Sequence, residues 1–131
     1  MNKIITVLFA LFISACNSKE DLRVDLHSFS EPHHVVTTHL DLDVEVDFEK
    51  EIISGKARYE IQNLTGHNQL VLDVNGLEID RVTIDNKESS FHLGDQDPIL
   101  GQPLIIDIDE DTKAVSIFYQ TCLLYTSDAA D

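Results

Sequence analysis

The sequence predicts an all-β domain built mostly from antiparallel strands, and three observations carry that expectation. Leu40, Leu42, Val44, Val46 and Phe48 alternate with Asp41, Asp43, Glu45 and Asp47. A strand sends successive side chains to opposite faces, so this run has one apolar face and one acidic face. After the polar link Glu49-Lys50-Glu51, the alternation resumes with Ile53, Gly55, Ala57, Tyr59 and Ile61 against Ser54, Lys56, Arg58, Glu60 and Gln62. Two such runs joined by a short polar link read as an antiparallel hairpin, with Lys56 and Arg58 facing the carboxylates of the first strand. Beyond the hairpin, short β-branched runs recur between turn signals as far as residue 121, without a helical period.

Size and composition bound the function. A chain of 131 residues is enough for one domain with a modest core. Nine Lys and Arg face 24 Asp and Glu, a formal net charge of −15. Such a chain repels a phosphate backbone, so no nucleic acid partner is expected, and the acidity reads as a solvated surface. The two cysteines, Cys16 and Cys122, lie in such different contexts that a disulfide between them is not expected.

The amino terminus reads as an address. Lys3 precedes an apolar run, Ile4 to Ile13, broken only by Thr6. A run of about ten residues is too short for a bilayer, which needs about 20, and fits the core of a signal peptide instead. It ends in Ile13-Ser14-Ala15-Cys16, which resembles the lipobox of bacterial lipoproteins. That resemblance implies a signal-peptide helix over residues 1–15, cleavage before Cys16 and lipid attachment at the Cys16 sulfur. The mature protein would then be membrane-anchored in the bacterial cell envelope, on the periplasmic side. Asn17 in place of Asp favours the outer membrane. Residues 16–36 are polar, interrupted by Pro32, and read as a tether.

The body, residues 37–121, then runs in order. Leu64-Thr65-Gly66-His67-Asn68 is a loop by composition. Asn63-Leu64-Thr65 matches a glycosylation sequon but reads as a turn in this setting. Gln69 to Val74 is apolar on both faces and reads as a central strand, followed by an Asn75-Gly76 turn. Leu77, Ile79, Val82 and Ile84 carry one strand or two, with Asp80-Arg81 blurring the boundary. Asp85-Asn86-Lys87 turns, Ser89 to Leu93 is a weaker strand, and Gly94 to Pro98 is a loop. Leu104 to Ile108 is strongly β-branched, and Asp109 to Lys113 turns into a last strand, Ala114 to Thr121. Residues 122–131 change character abruptly. They resemble translated adapter read-through and are expected to be a non-native tail.

Candidate chemistry is sparse. None of the six histidines (27, 33, 34, 39, 67 and 92) is followed by Glu, which excludes a His-Glu-x-x-His zinc helix from this sequence. His33, His34 and His39 are close in sequence, but a zinc site needs three or four convergent ligands, so a solvated loop is expected there. Asp107, Asp109 and Asp111 open like a calcium loop. Thr112 stands where that loop needs Gly, and Phe118 where it needs Glu, so the motif fails. The stripe Asp41, Asp43, Glu45 and Asp47 spaces carboxylates about 7 Å apart on a strand face. No catalytic, metal or substrate-binding residue is assigned, and Cys16 is the one candidate site.

Several collinear blocks carry a wider resemblance. They are His27-Ser28-Phe29-Ser30-Glu31-Pro32, Thr38 through Phe48, Ser54-Gly55-Lys56-Ala57, Leu70-Val71-Leu72-Asp73 with Leu77-Glu78-Ile79, Phe91-His92-Leu93-Gly94, and Leu100-Gly101-Gln102-Pro103-Leu104. In this order they resemble the N-terminal region of the aminopeptidase N family of zinc metallopeptidases, in the branch containing leukotriene hydrolase. The resemblance covers about residues 27–121. It implies a saddle-like, mostly antiparallel partial β domain that packs against a thermolysin-like catalytic domain in cis. The full enzyme would use zinc to release N-terminal residues from peptides. This chain carries no catalytic residue and is expected to bind no zinc and to be inactive by itself. An isolated fragment, residues 17–121, is expected to associate through uncovered strand edges and apolar surface. The rival expectation is a stand-alone, lipid-anchored β-sandwich binding module.

Overall fold

The computed structural model describes residues 25–121. The expected signal peptide, Cys16, the start of the expected tether and the expected tail therefore lie outside the described residues. What is described is all-β, as expected. Its eight strands are β1 (Val35–Asp47), β2 (Ile52–Asn63), β3 (Gln69–Val74), β4 (Leu77–Ile84), β5 (Lys87–Ser89), β6 (Phe91–Leu93), β7 (Gln102–Asp107) and β8 (Ala114–Thr121). They form a five-stranded sheet in the order β1-β2-β8-β4-β5 and a three-stranded sheet in the order β3-β7-β6. Every described pairing is antiparallel.

The hairpin forms in the register the alternation implies. Asp41 lies opposite Arg58 and Asp43 opposite Lys56, while Leu42 faces Ala57 and Val46 faces Ile53. A Cβ on Gly55 would collide with the carbonyl oxygen of Asp43, so glycine lets the two backbones meet there. The apolar row continues across the sheet, from Ala57 to Ile117 on β8 and on to Val82 on β4. There the small sheet covers it. Leu104, Ile106, Val82 and Val115 are fully buried between the layers, with Leu70, Val74, Ile61 and Ile117 around them.

Three local readings change, and one left open is settled. β1 begins at Val35, inside the stretch read as tether, because the residues before it are held down. Ser28 Oγ donates to Asp73 Oδ2 (2.6 Å), and the Phe29 N–H donates to Asp73 Oδ1 (2.8 Å). Second, β3 is an edge strand of the small sheet among the described residues, and β7 is its centre. Val71 and Leu72 are accordingly only half-buried. Third, β4 is one strand whose register shifts between Ile79 and Arg81. A bulge inserts one residue, so the apolar parity changes from Leu77 and Ile79 to Val82 and Ile84. Fourth, Ser89 to Leu93 divides between the layers, with β5 pairing to β4 and β6 to β7. The Asp85-Asn86 turn before β5 has φ of 46° and 67°, the paired left-handed geometry of a tight two-residue hairpin.

Asp97 builds the corner before β7. Its Oδ1 accepts the N–H groups of Ile99 (2.7 Å) and Leu100 (2.8 Å), while its backbone pairs with Gly101. Gly101 has φ 83°, and a Cβ there would strike the Val74 carbonyl oxygen. The N–H groups of Leu100 and then Ile99 hold the Asp97 carboxyl below its ordinary 3.8. A carboxyl depressed in the folded state adds stability above the unfolded pKa, and that stability is lost as pH falls through the folded pKa. The stability difference between the parent and Asp97→Asn is therefore expected at pH 6 and should shrink below pH ~4. Urea titrations of both proteins at pH 6 and pH 3 check this. A difference that grows on acidification would contradict it.

Candidate functional site

Three surfaces concentrate chemistry. The first is the apolar face of β1. Leu42 is 60% exposed, Phe48 87%, and Leu40, Val44 and Val46 between 43% and 47%. Ile53 on β2 extends the same face. These side chains lie on the face that buries Ile117 and Val82 further along, but the small sheet does not reach them. Where its cover ends, a cleft of about 260 Å³ opens, lined by Leu42, Ala57, Tyr59, Leu72, Leu77 and Tyr119 among others. Burial, then the neighbouring Tyr119, raises the Tyr59 phenol above its ordinary 10.0, so it stays neutral there.

The second surface is the opposite, acidic face. Arg58 Nη1 reaches Asp41 Oδ2 at 3.2 Å and Glu60 Oε1 at 2.8 Å, and Lys50 Nζ reaches Asp47 Oδ2 at 2.9 Å. Asp41 also meets His39 Nε2 at 3.0 Å. Hydrogen bonding from His39, and less from Arg58, lowers the Asp41 carboxyl, and Lys50 with the Glu49 N–H lowers Asp47. These are exposed pairs, screened by solvent and salt, and they contribute little to stability. An open groove of about 410 Å³ runs beside them, floored in part by Phe118 and rimmed by Asp43, Glu45, Glu78 and Asp80. Arg81 stacks its guanidinium 3.9 Å over the Phe118 ring. The stripe is thus a solvated, partly neutralised strand surface.

The third surface lies where β1 begins and β2 ends. His33 and His34 converge there with Glu31, while His39 points to Asp41 and takes no part. His67 arrives from the β2–β3 loop and stacks on His34, with ring centroids 4.4 Å apart and planes 5° apart. Sequence spacing offered no signal for His67, because this contact bridges two loops far apart in the chain. The calcium-like aspartates stay apart in role. The Thr112 hydroxyl, where such a loop needs glycine, accepts the Asp109 N–H at 3.0 Å and closes an ordinary turn.

The catalytic zinc set of a metallopeptidase does not fit this chain, since its sequence holds neither a His-Glu pair nor a Met beyond Met1. Comparison with known proteins places the fold nonetheless. No family model matches the chain. Leucine aminopeptidase 2-1 of Scheffersomyces stipitis is 37% identical over 79 residues, 60% of this chain and 13% of that protein. Leucine aminopeptidase 2 of Kluyveromyces lactis is 30% identical over 113 residues, 85% of this chain and 16% of that protein. Yeast leukotriene A4 hydrolase, solved in complex with bestatin, superposes with a TM-score of 0.73 at 26% identity, over 80% of this chain and 17% of that one. An M1 zinc metallopeptidase of Deinococcus radiodurans shares the fold alone, with a TM-score of 0.57 at 14% identity. The chain thus spans about a sixth or less of the leucine aminopeptidases it matches. Its collinear blocks, its two-layered β fold and these matches together make it a homologue of the N-terminal region of leucine aminopeptidase 2 and leukotriene A4 hydrolase.

Proposed function

We propose that this chain is the non-catalytic N-terminal part of a lipid-anchored zinc aminopeptidase, an enzyme that releases N-terminal residues from peptides. The observation that carries the reading is the uncovered apolar face of β1, which extends a buried sheet face past its own cover. An exposed apolar patch of this kind marks an interaction surface. A catalytic domain in cis, holding the zinc, is the occupant that the homology supports. Cys16 carries the lipid and sets the protein on the periplasmic side of a bacterial envelope membrane, with the outer membrane favoured. The 131-residue chain alone hydrolyses no peptide.

The purified chain, assayed with aminoacyl-nitroanilides and added zinc, is expected to release no product above buffer. Metal-dependent release by this chain would overturn the assignment. A second reading, a stand-alone lipid-anchored binding module, draws on the apolar cleft beside Leu42 and Tyr59. Saturable uptake of a small apolar ligand by the chain, abolished by filling the cleft with Ala57→Phe, would favour it.

A further inference from the structure

The geometry points to a divalent transition-metal site formed by Glu31, His33 and His34. One ligand atom from each of these residues lies within 4.8 Å of the others. Zinc bonds of about 2.0–2.2 Å set neighbouring tetrahedral ligand atoms about 3.4 Å apart. A small rotation of the exposed Glu31 carboxylate and one imidazole closes the gap.

The backbone holds the ligands together before any ion arrives. The N–H groups of His34 (2.9 Å) and Val35 (3.2 Å) both donate to the Glu31 carbonyl, and Pro32 stiffens the turn between them. The Leu64 N–H donates to the His34 carbonyl at 2.8 Å, which ties this turn to the end of β2. Asn63 clamps the adjoining loop, accepting the His67 N–H at 2.9 Å and donating to the His67 carbonyl.

One of the two rings has a partner that can fix its tautomer. His34 Nδ1 lies 2.9 Å from the Thr65 hydroxyl. With Nδ1–H donating to that oxygen, Nε2 carries the lone pair for a metal, the outer-shell arrangement that fixes a ligating histidine's tautomer. His67 braces the group, stacked on His34 and with Nε2 3.8 Å from Glu31 Oε2. Two imidazoles and one carboxylate select zinc, nickel or copper over calcium or magnesium, which prefer all-oxygen shells. The strongly acidic chain raises the local cation concentration. A bound ion would pin the start of β1 to the end of β2. It would therefore stabilise the folded state by linkage.

The test uses the full 131-residue chain, tag-free, in mild detergent, with both thiols alkylated so that cysteine cannot compete. Zinc chloride alone is titrated by calorimetry, and thermal unfolding is followed with and without it. One ion per chain and a higher unfolding temperature are expected. Glu31→Gln and His33→Gln should each abolish saturable binding while leaving the sheet circular dichroism unchanged. Thr65→Val should weaken binding about tenfold by releasing His34. His39→Gln, which removes the histidine that the structure sets apart, should change nothing. Absence of saturable zinc binding by the parent, binding undiminished in Glu31→Gln, or an equal loss in His39→Gln would each overturn the site.

Discussion

Replacing Leu104 with alanine is expected to remove about 2–5 kcal/mol of stability, the range for a buried leucine whose cavity cannot fully collapse. Leu104 is fully buried at the middle of β7, the central strand of the small sheet. Its side chain enters the layer that also holds Val82, Ile106 and Val115, each without exposed surface. A domain of this size holds only about 5–15 kcal/mol in total, so the loss is a large fraction of it. Leu42→Ala removes the same atoms from a side chain that is 60% exposed. It should shift stability by no more than about 0.5 kcal/mol. Urea titration of dilute samples of both variants and the parent checks the contrast. Equal losses at the two leucines would show that the layer between the sheets is not the core.

The second large effect is on association. The chain from residue 17 to 121 is expected to self-associate, because two features coincide on β1. It is an edge strand of the large sheet, and it presents Leu42, Val44 and Val46 to solvent, with Phe48 just past its end. An edge offers unpaired backbone N–H and C=O groups, and the apolar row supplies the driving force. Leu42→Lys combined with Val46→Lys places charge on the strand edge, which should restore a monomer. Neither side chain belongs to the buried layer, so folding should survive. Sedimentation velocity of the parent and the double variant reads this directly. A monomeric parent with a sharp, reversible thermal transition would contradict it.

The strands could be read from the sequence wherever one face was coded by apolar residues and the other by charge. The β1–β2 hairpin is the strongest case: Lys56 and Arg58 do face first-strand carboxylates, and the structure gives the partners as Asp43 and Asp41. Reading failed where local pattern does not carry three-dimensional information. An extra residue at Asp80 hid the continuity of β4, because a bulge changes parity without changing composition. Ser89 to Leu93 looked like one strand because alternation cannot say which sheet a strand joins. The part of the tether that docks does so through Asp73, a contact 44 or 45 residues away in sequence. The histidine cluster was half visible. His33 and His34 stood out by proximity, but His39 was a false neighbour, Glu31 two residues before His33 was passed over, and His67 was brought in by folding. The apolar face of β1 was legible as a pattern, while its exposure depends on how far the small sheet reaches.

The most direct test of the central claim is a long read of the source DNA through codon 121 and beyond. The account predicts a frame that leaves the sequence of residues 122–131 and continues through a Gly-x-Met-Glu-Asn strand into a His-Glu-x-x-His helix, supplying the domain that covers β1. A frame that closes at this tail, with no such motifs downstream, would contradict it and leave a free-standing β module.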